Sequence, residues 1–319
     1  MNIPIPWFVQ DVIVVAITLI VVVFIIKKSK HPVQALLEGF CFVFLYAGIF
    51  ENFAVIMGWY VYGRSLLMFI AVPLSVPLIE MDVFIVGLWM LEKVRVPDWC
   101  KPFIMGLLGM LQDFSLDPLA THQVYTVDTV TSGRWTWILT PGAVNIYGIP
   151  VYNFPGWMLI MLYATIFVIL GRRWFKRSGY KASVGNGYPF ASLGLALLAM
   201  MSPVSNALLW LVGFQGSVAE WVMLSFHLAF PTVLLIMFWR GKMNQPISIR
   251  QDLPIFAVPV VFHVSDIIFT IAGGFIEVLW LVVLASCLHV ALLVIVCVAS
   301  QRARRTIPVQ PAEAFLFEP

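Results

Sequence analysis

Residues 113–157 read DFSLDPLATHQVYTVDTVTSGRWTWILTPGAVNIYGIPVYNFPGW. The stretch opens with two carboxylates inside an apolar run and closes on Trp, Tyr, Asn and Gly–Pro signals. Asp113 and Asp117 stand four residues apart, which on a helix gives them one face with Cβ atoms about 5–6 Å apart. An ionisable side chain at membrane depth is costly, and its presence there points to function. The rest of the chain reads as scaffold around a pocket that this stretch partly lines.

Composition supports membrane depth. Of 319 residues, 61% are hydrophobic and 11% charged, whereas a water-soluble domain carries about 25% charged residues. The fold expected is an all-α, polytopic membrane helix bundle. Cys41, Cys100, Cys287 and Cys297 form no CxxC pair, so neither a disulfide framework nor a zinc site is expected. Nothing basic precedes the first apolar run, so no cleavable signal peptide is expected.

Apolar segments of spanning length occur at about 11–26, 33–50, 65–91, 102–120, 156–171, 188–212, 218–239, 253–273 and 276–299. Basic residues follow the odd-numbered ones: Lys27, Lys28 and Lys30; Lys93 and Arg95; Arg172, Arg173, Lys176 and Arg177; Arg240 and Lys242; Arg302, Arg304 and Arg305. Of nineteen basic residues, only Arg64 and Arg134 fall on the other side. The expectation is therefore a multi-pass cell-membrane protein of about nine spans, with its N-terminus outside and its C-terminus cytoplasmic. Residues 1–177 form a five-helix unit carrying the site, 178–187 a cytoplasmic linker, 188–305 a four-helix unit and 306–319 a tail. Two outer loops are aromatic, 51–64 and 121–155. The second reads as a re-entrant or interfacial cap, tolerable only where protein or water satisfies its backbone.

The intramembrane ionisable set is Glu38, Glu51, Glu80, Asp82, Asp113, Asp117, His227, His263, Asp266, Glu277 and His289. No Lys or Arg lies deep in a span, so these carboxyls lack cationic partners, and unpaired burial favours the protonated acid. Asp117 precedes Pro118, which bends or ends the fourth span there. Pro73 and Pro77 kink the third span before Glu80. Asp82, two residues on, points to the opposite face, so Glu80 is favoured for the pocket. Glu51 closes the second span ahead of Tyr60 and Tyr62. His263 and Asp266 are spaced to bond on one face.

The candidate catalytic residues are thus Asp113, Asp117, Glu80 and Glu51. Asp113 lies roughly 15 Å into its span from Phe103, which makes it the proton donor, and Asp117, nearer the surface, the base. Five scattered histidines cannot build a di-iron centre, and no Walker A loop or GxGxxG is present. No cofactor and no metal are expected. What remains is acid–base chemistry on an apolar substrate, in which a carboxyl protonates an alkene and aromatic faces shelter the cation. A proton-coupled transporter fits the same residues.

The runs DFSLDP (113–118), GRWTW (133–137) and IYGIPVYNFPGW (146–157), with GWYVYG (58–63) and PLSVPL (73–78) upstream, resemble a membrane carotenoid-biosynthesis family. That family comprises the carotenoid 1,2-hydratases and bisanhydrobacterioruberin hydratases. Its pattern is Asp-x-x-x-Asp-Pro, Trp-x-Trp, then Tyr-Gly-(Ile/Val)-Pro and Asn-Phe-x-Gly-Trp. The likeness covers roughly residues 35–170. It implies hydration of the terminal isopropylidene group of an acyclic carotenoid, with Asp113, Asp117, Trp135, Trp137, Tyr147, Asn153 and Trp157 at matching positions. The substrate-binding candidates are these last five and Tyr60. The loop TSGRWTWILTPGAVN is longer than the family's, and PLIEMDVF (77–84) resembles the Pro-x-Glu-Glu segment of membrane lycopene cyclases. The expected activity is a hydratase (a lyase) acting on a lipophilic isoprenoid or carotenoid within membrane lipid, with no nucleic-acid partner. A terpenoid or carotenoid cyclase and a prenyltransferase stay open as alternatives.

Overall fold

A computed structural model describes residues 3–127, 129–205 and 218–305. The end of the sixth apolar segment and the tail 306–319 lie outside them. The elements are α1 (Ile5–Lys28), α2 (Pro32–Ile56), β1 (Tyr60–Tyr62), β2 (Met68–Phe69), β3 (Val72–Pro73), α3 (Ser75–Lys93), α4 (Lys101–His122), β4 (Val124–Val127), β5 (Val130–Gly133), β6 (Trp135–Trp137), β7 (Asn145–Ile146), β8 (Ile149–Pro150), α5 (Asn153–Arg177), α6 (Ala182–Met200), α7 (Val218–Trp239), α8 (Leu253–Ala272) and α9 (Ile276–Arg304). Among the described residues six helices are long and apolar enough to cross a membrane: α1, α2, α5, α7, α8 and α9. The chain is a helical bundle of the membrane type.

Two further helices, α3 and α4, are buried on nearly every side. They hold the bundle's centre and carry Glu80, Asp82, Asp113 and Asp117. Their polarity is enclosed by the outer helices, whose exposed side chains are apolar, as with Leu284 and Leu288 on α9 or Val222 and Phe226 on α7. Apolar burial drives helices together weakly in lipid, so close approach depends on small residues. Gly106 and Gly109 of α4 supply it: a Cβ at either would meet the Cγ of Met158 or Met161 on α5 at 2.5 or 2.7 Å.

Several local expectations are corrected. The third apolar segment begins as a β2–β3 hairpin, Met68 pairing with Pro73 and Phe69 with Val72, and its helix starts at Ser75. Pro73 is therefore in a strand and Pro77 in the first turn of α3, where its missing N–H costs nothing. Neither kinks a span. Pro118 does not end α4, which continues to His122. The Thr121 hydroxyl and the His122 ring cap that last turn on the Pro118 carbonyl, at 3.2 and 2.7 Å. Helix resumes at Ala182, inside the proposed 178–187 linker.

The aromatic loop after α4, expected as a re-entrant or interfacial cap, is built of short strands. It folds as the β4–β5 hairpin, strand β6 and the β7–β8 hairpin, and β6 pairs antiparallel with β1 from the other outer loop. Arg134 anchors this lid to α1 through an ion pair with Asp11 at 2.8 Å. Asp11 also accepts from the Ser65 hydroxyl and, at 3.0 Å, from the Leu66 backbone N–H.

Candidate functional site

The β1–β6 ribbon puts Tyr60 opposite Trp137 and Tyr62 opposite Trp135. Side chains alternate along a strand, so these four share one face while Val61 and Thr136 look outward. The Tyr60 ring lies 4.6 Å from Trp137 and 5.3 Å from Trp135, and the two indoles stack at 5.8 Å. Beside them opens a cavity of about 560 Å³. Its walls include Glu51, Trp59, Tyr60, Trp135, Trp137, Tyr152, Asn153 and Trp157. Of the candidate carboxyls Glu51 lines this aromatic chamber, and Asp113 and Asp117 are joined to it through Asn153.

Glu51, in the last turns of α2, receives hydrogen bonds on one oxygen, Oε2, from the Tyr60 hydroxyl at 2.6 Å and the Tyr62 hydroxyl at 2.5 Å. Both tyrosines lie in the outer lid. Burial, then the adjoining Glu51 charge, pushes both phenols well above the ordinary tyrosine range, so both stay hydrogen-bond donors.

Asp113 and Asp117 occupy one face of α4 and are both fully buried. Asn153, the first residue of α5, bridges them. Its amide nitrogen donates to Asp113 Oδ2 at 2.8 Å and to Asp117 Oδ2 at 2.7 Å. Their other oxygens, Asp113 Oδ1 and Asp117 Oδ1, meet no hydrogen-bond donor among the described residues. Stacking of Phe114 on Phe154, centroids 4.0 Å apart, holds the two helices in this register. Asn153 faces the cavity as well, so it links the aspartate pair to the chamber. Glu80, on α3, is fully buried and close enough to Glu51 and Asp117 to feel their charges. Neither of its oxygens meets a hydrogen-bond donor among the described residues. Glu51, Glu80, Asp113 and Asp117 thus form one group contributed by three helices.

Of the substrate-binding candidates, Tyr60, Trp135, Trp137, Asn153 and Trp157 line the chamber. Tyr147 does not. Its hydroxyl accepts from Trp280 Nε1 of α9 at 2.6 Å. Residues missed in the sequence are Tyr62, Trp59, Tyr152 and Phe50. Tyr62 alone carried a usable signal, its period-two spacing from Tyr60.

The other polar groups have separate partners. Asp82 turns to α1 and accepts from the Thr18 hydroxyl at 2.7 Å. Glu38 is not without a cation: Arg172 of α5 grips it at 2.7 and 2.9 Å and also reaches Glu92. The expected His263–Asp266 pair does not form. His263 bonds His289 across α8 and α9 at 2.9 Å, while Asp266 accepts from Ser115 at 2.8 Å. His227 bonds the Met223 carbonyl in its own helix at 2.8 Å, and Glu277 stands 3.7 Å from His122. Among the described residues no three His, Cys, Asp or Glu side chains converge in a metal-holding geometry.

Comparison with protein-family models, with curated proteins and with solved structures gives no match.

Proposed function

We propose that the chain is a multi-pass cell-membrane hydratase of about nine spans that adds water across the terminal isopropylidene double bond of an acyclic carotenoid or related isoprenoid. One observation carries this: Glu51 and Asn153, the residue that bridges the buried Asp113 and Asp117, both line an aromatic chamber of about 560 Å³. A protonated carboxyl of the Asp113–Asp117 pair transfers its proton to the CH carbon of the alkene. The π electrons form that C–H bond and leave a tertiary cation on the dimethyl-bearing carbon. The π faces of Trp135, Trp137 and Tyr60 stabilise the cation as it forms. Water then attacks, and its spare proton passes to a carboxylate, so the net change is addition of one water. The buried indole N–H groups of Trp135 and Trp137, which meet no acceptor among the described residues, are placed to hold the attacking oxygen. The likeness of residues 35–170 to the carotenoid hydratases supports the same chemistry.

Expression of the chain in cells that make an acyclic carotenoid tests this. The expected product is a tertiary alcohol heavier than its precursor by one water. An isomer of unchanged mass bearing a terminal ring would replace hydration with cyclisation. Recovery of the precursor alone would overturn both.

A further inference from the structure

A second cavity, of about 130 Å³, lies at the opposite end of the bundle from the aromatic chamber, where the end of α3, the start of α4 and the end of α5 meet. Leu88, Leu91, Ile169 and Phe175 form its apolar walls, and Lys101, Arg172, Arg173 and Lys176 bring four cations to it against the two carboxylates Glu92 and Asp98. Arg172 is committed to Glu38 and Glu92. Asp98 is shared between Lys101 at 2.7 Å and Arg173. Lys176 pairs with no carboxylate among the described residues and is exposed. Trp99 and Trp174, each about half exposed, flank the site as aromatic side chains do at a membrane–water boundary.

A pocket walled by apolar side chains and rimmed by cations at a helix-bundle end is complementary to a phosphate group carrying an acyl chain. We propose that this cavity binds the phosphate of an anionic phospholipid. Lys101, Arg173 and Lys176 hold the phosphate oxygens, and the acyl chain descends along Leu88, Leu91 and Ile169. The site is remote from the carboxyl group and does not depend on the proposed hydration.

The test uses the purified full chain in detergent micelles titrated with phosphatidylglycerol, phosphatidylcholine or inorganic phosphate, with binding read by native mass spectrometry and thermal midpoint. Phosphatidylglycerol should bind saturably and raise the midpoint. Lys176→Gln and Arg173→Gln should each weaken it about fivefold. Arg177→Gln, a neighbouring charge that does not line the cavity, should leave it unchanged. Lys176 bears no ion pair among the described residues and is exposed, so that variant retains the fold even if Arg173→Gln does not. Saturable, Lys176-dependent binding of inorganic phosphate without a preference for lipid would overturn the lipid assignment in favour of a free anion. Equal binding of phosphatidylcholine, or equal loss with Arg177→Gln, would overturn the site itself.

Discussion

At the scale of single residues, Glu51 is the carboxylate whose surroundings differ most from its neighbours'. It receives two hydroxyl donors on one oxygen, whereas Glu80 receives none among the described residues. Hydrogen bonds to a carboxylate favour its charged form, so Glu51 suits the role of proton acceptor or cation partner better than proton donor. Charge-assisted hydrogen bonds contribute about 1.5–3 kcal/mol each. Tyr62→Phe should therefore lower turnover by roughly tenfold, and the Tyr60→Phe, Tyr62→Phe double variant further. Product assays per amount of folded protein check this. The two phenols carry a pH prediction as well. Burial and then Glu51 raise them well above the ordinary range, so the neutral hydroxyl persists through the usual tyrosine pKa of about 10. Titration followed by tyrosinate absorbance should find both protonated there in the folded protein. Tyrosinate absorbance that appears below that pH and is removed by Tyr60→Phe or Tyr62→Phe would contradict the placement. The sequence offered the four carboxyls as candidates because charge in an apolar run is costly wherever it sits. Glu38 looked equivalent, and its difference was invisible because Arg172 is 134 positions away.

At the scale of elements, the register of α4 against α5 sets the aspartate–asparagine bridge, and glycine sets the register. The Cβ of any larger residue at Gly106 would meet the Met158 side chain at 2.5 Å and its backbone oxygen at 3.1 Å. Overpacking of this kind costs about 1–3 kcal/mol. Gly106→Leu should lower the thermal midpoint in detergent and depress product formation, although no chemical group of the site is touched. An unchanged midpoint would show that the helices can part without cost. The helices were legible as apolar runs, and α2, α5, α8 and α9 lie close to where hydropathy placed them. The strands were not. WTW and YVY are three-residue alternations whose partners lie about 75 positions apart, as in the pairing of Tyr60 with Trp137. Nothing local records such a pairing. Pro118 misled for a different reason: a proline removes one N–H from the helix, and α4 continues past it to His122.

At the scale of the whole molecule, charge sorts the two ends of the bundle. Lys93 pairs with Asp252 at 2.9 Å, the Arg95 backbone N–H reaches the Lys242 carbonyl at 3.0 Å, and Arg304 reaches the Ile247 carbonyl at 2.7 Å. Basic segments far apart in sequence thus converge on one end, while the β pairs and the aromatic chamber occupy the other. Basic residues remain on the cytoplasmic side, so tags at 178–181 should be protected in intact cells and one at 129–133 accessible. External protease cleavage at 178–181 would reverse the orientation. The periodic clusters made this polarity readable in the sequence. The sequence named part of the chamber's lining, Tyr60, Trp135, Trp137, Asn153 and Trp157, but not its walls as a whole, because they come together only where α2, β1, β6 and α5 meet.

The central claim, that the bridged aspartates deliver the proton, is tested most directly by product formation from Asp113→Asn, Asp117→Asn and the double variant. Each is measured per amount of monodisperse protein with an acyclic carotenoid as substrate. Asparagine keeps the size and the hydrogen-bonding capacity next to Asn153 but removes the transferable proton. Asp113→Asn should reduce hydroxylated product to background and Asp117→Asn should be severely impaired. The double variant should be little worse than either, since members of one catalytic unit are not additive. Near-normal turnover by Asp113→Asn in a folded protein would contradict the account and move the proton donor to Glu80.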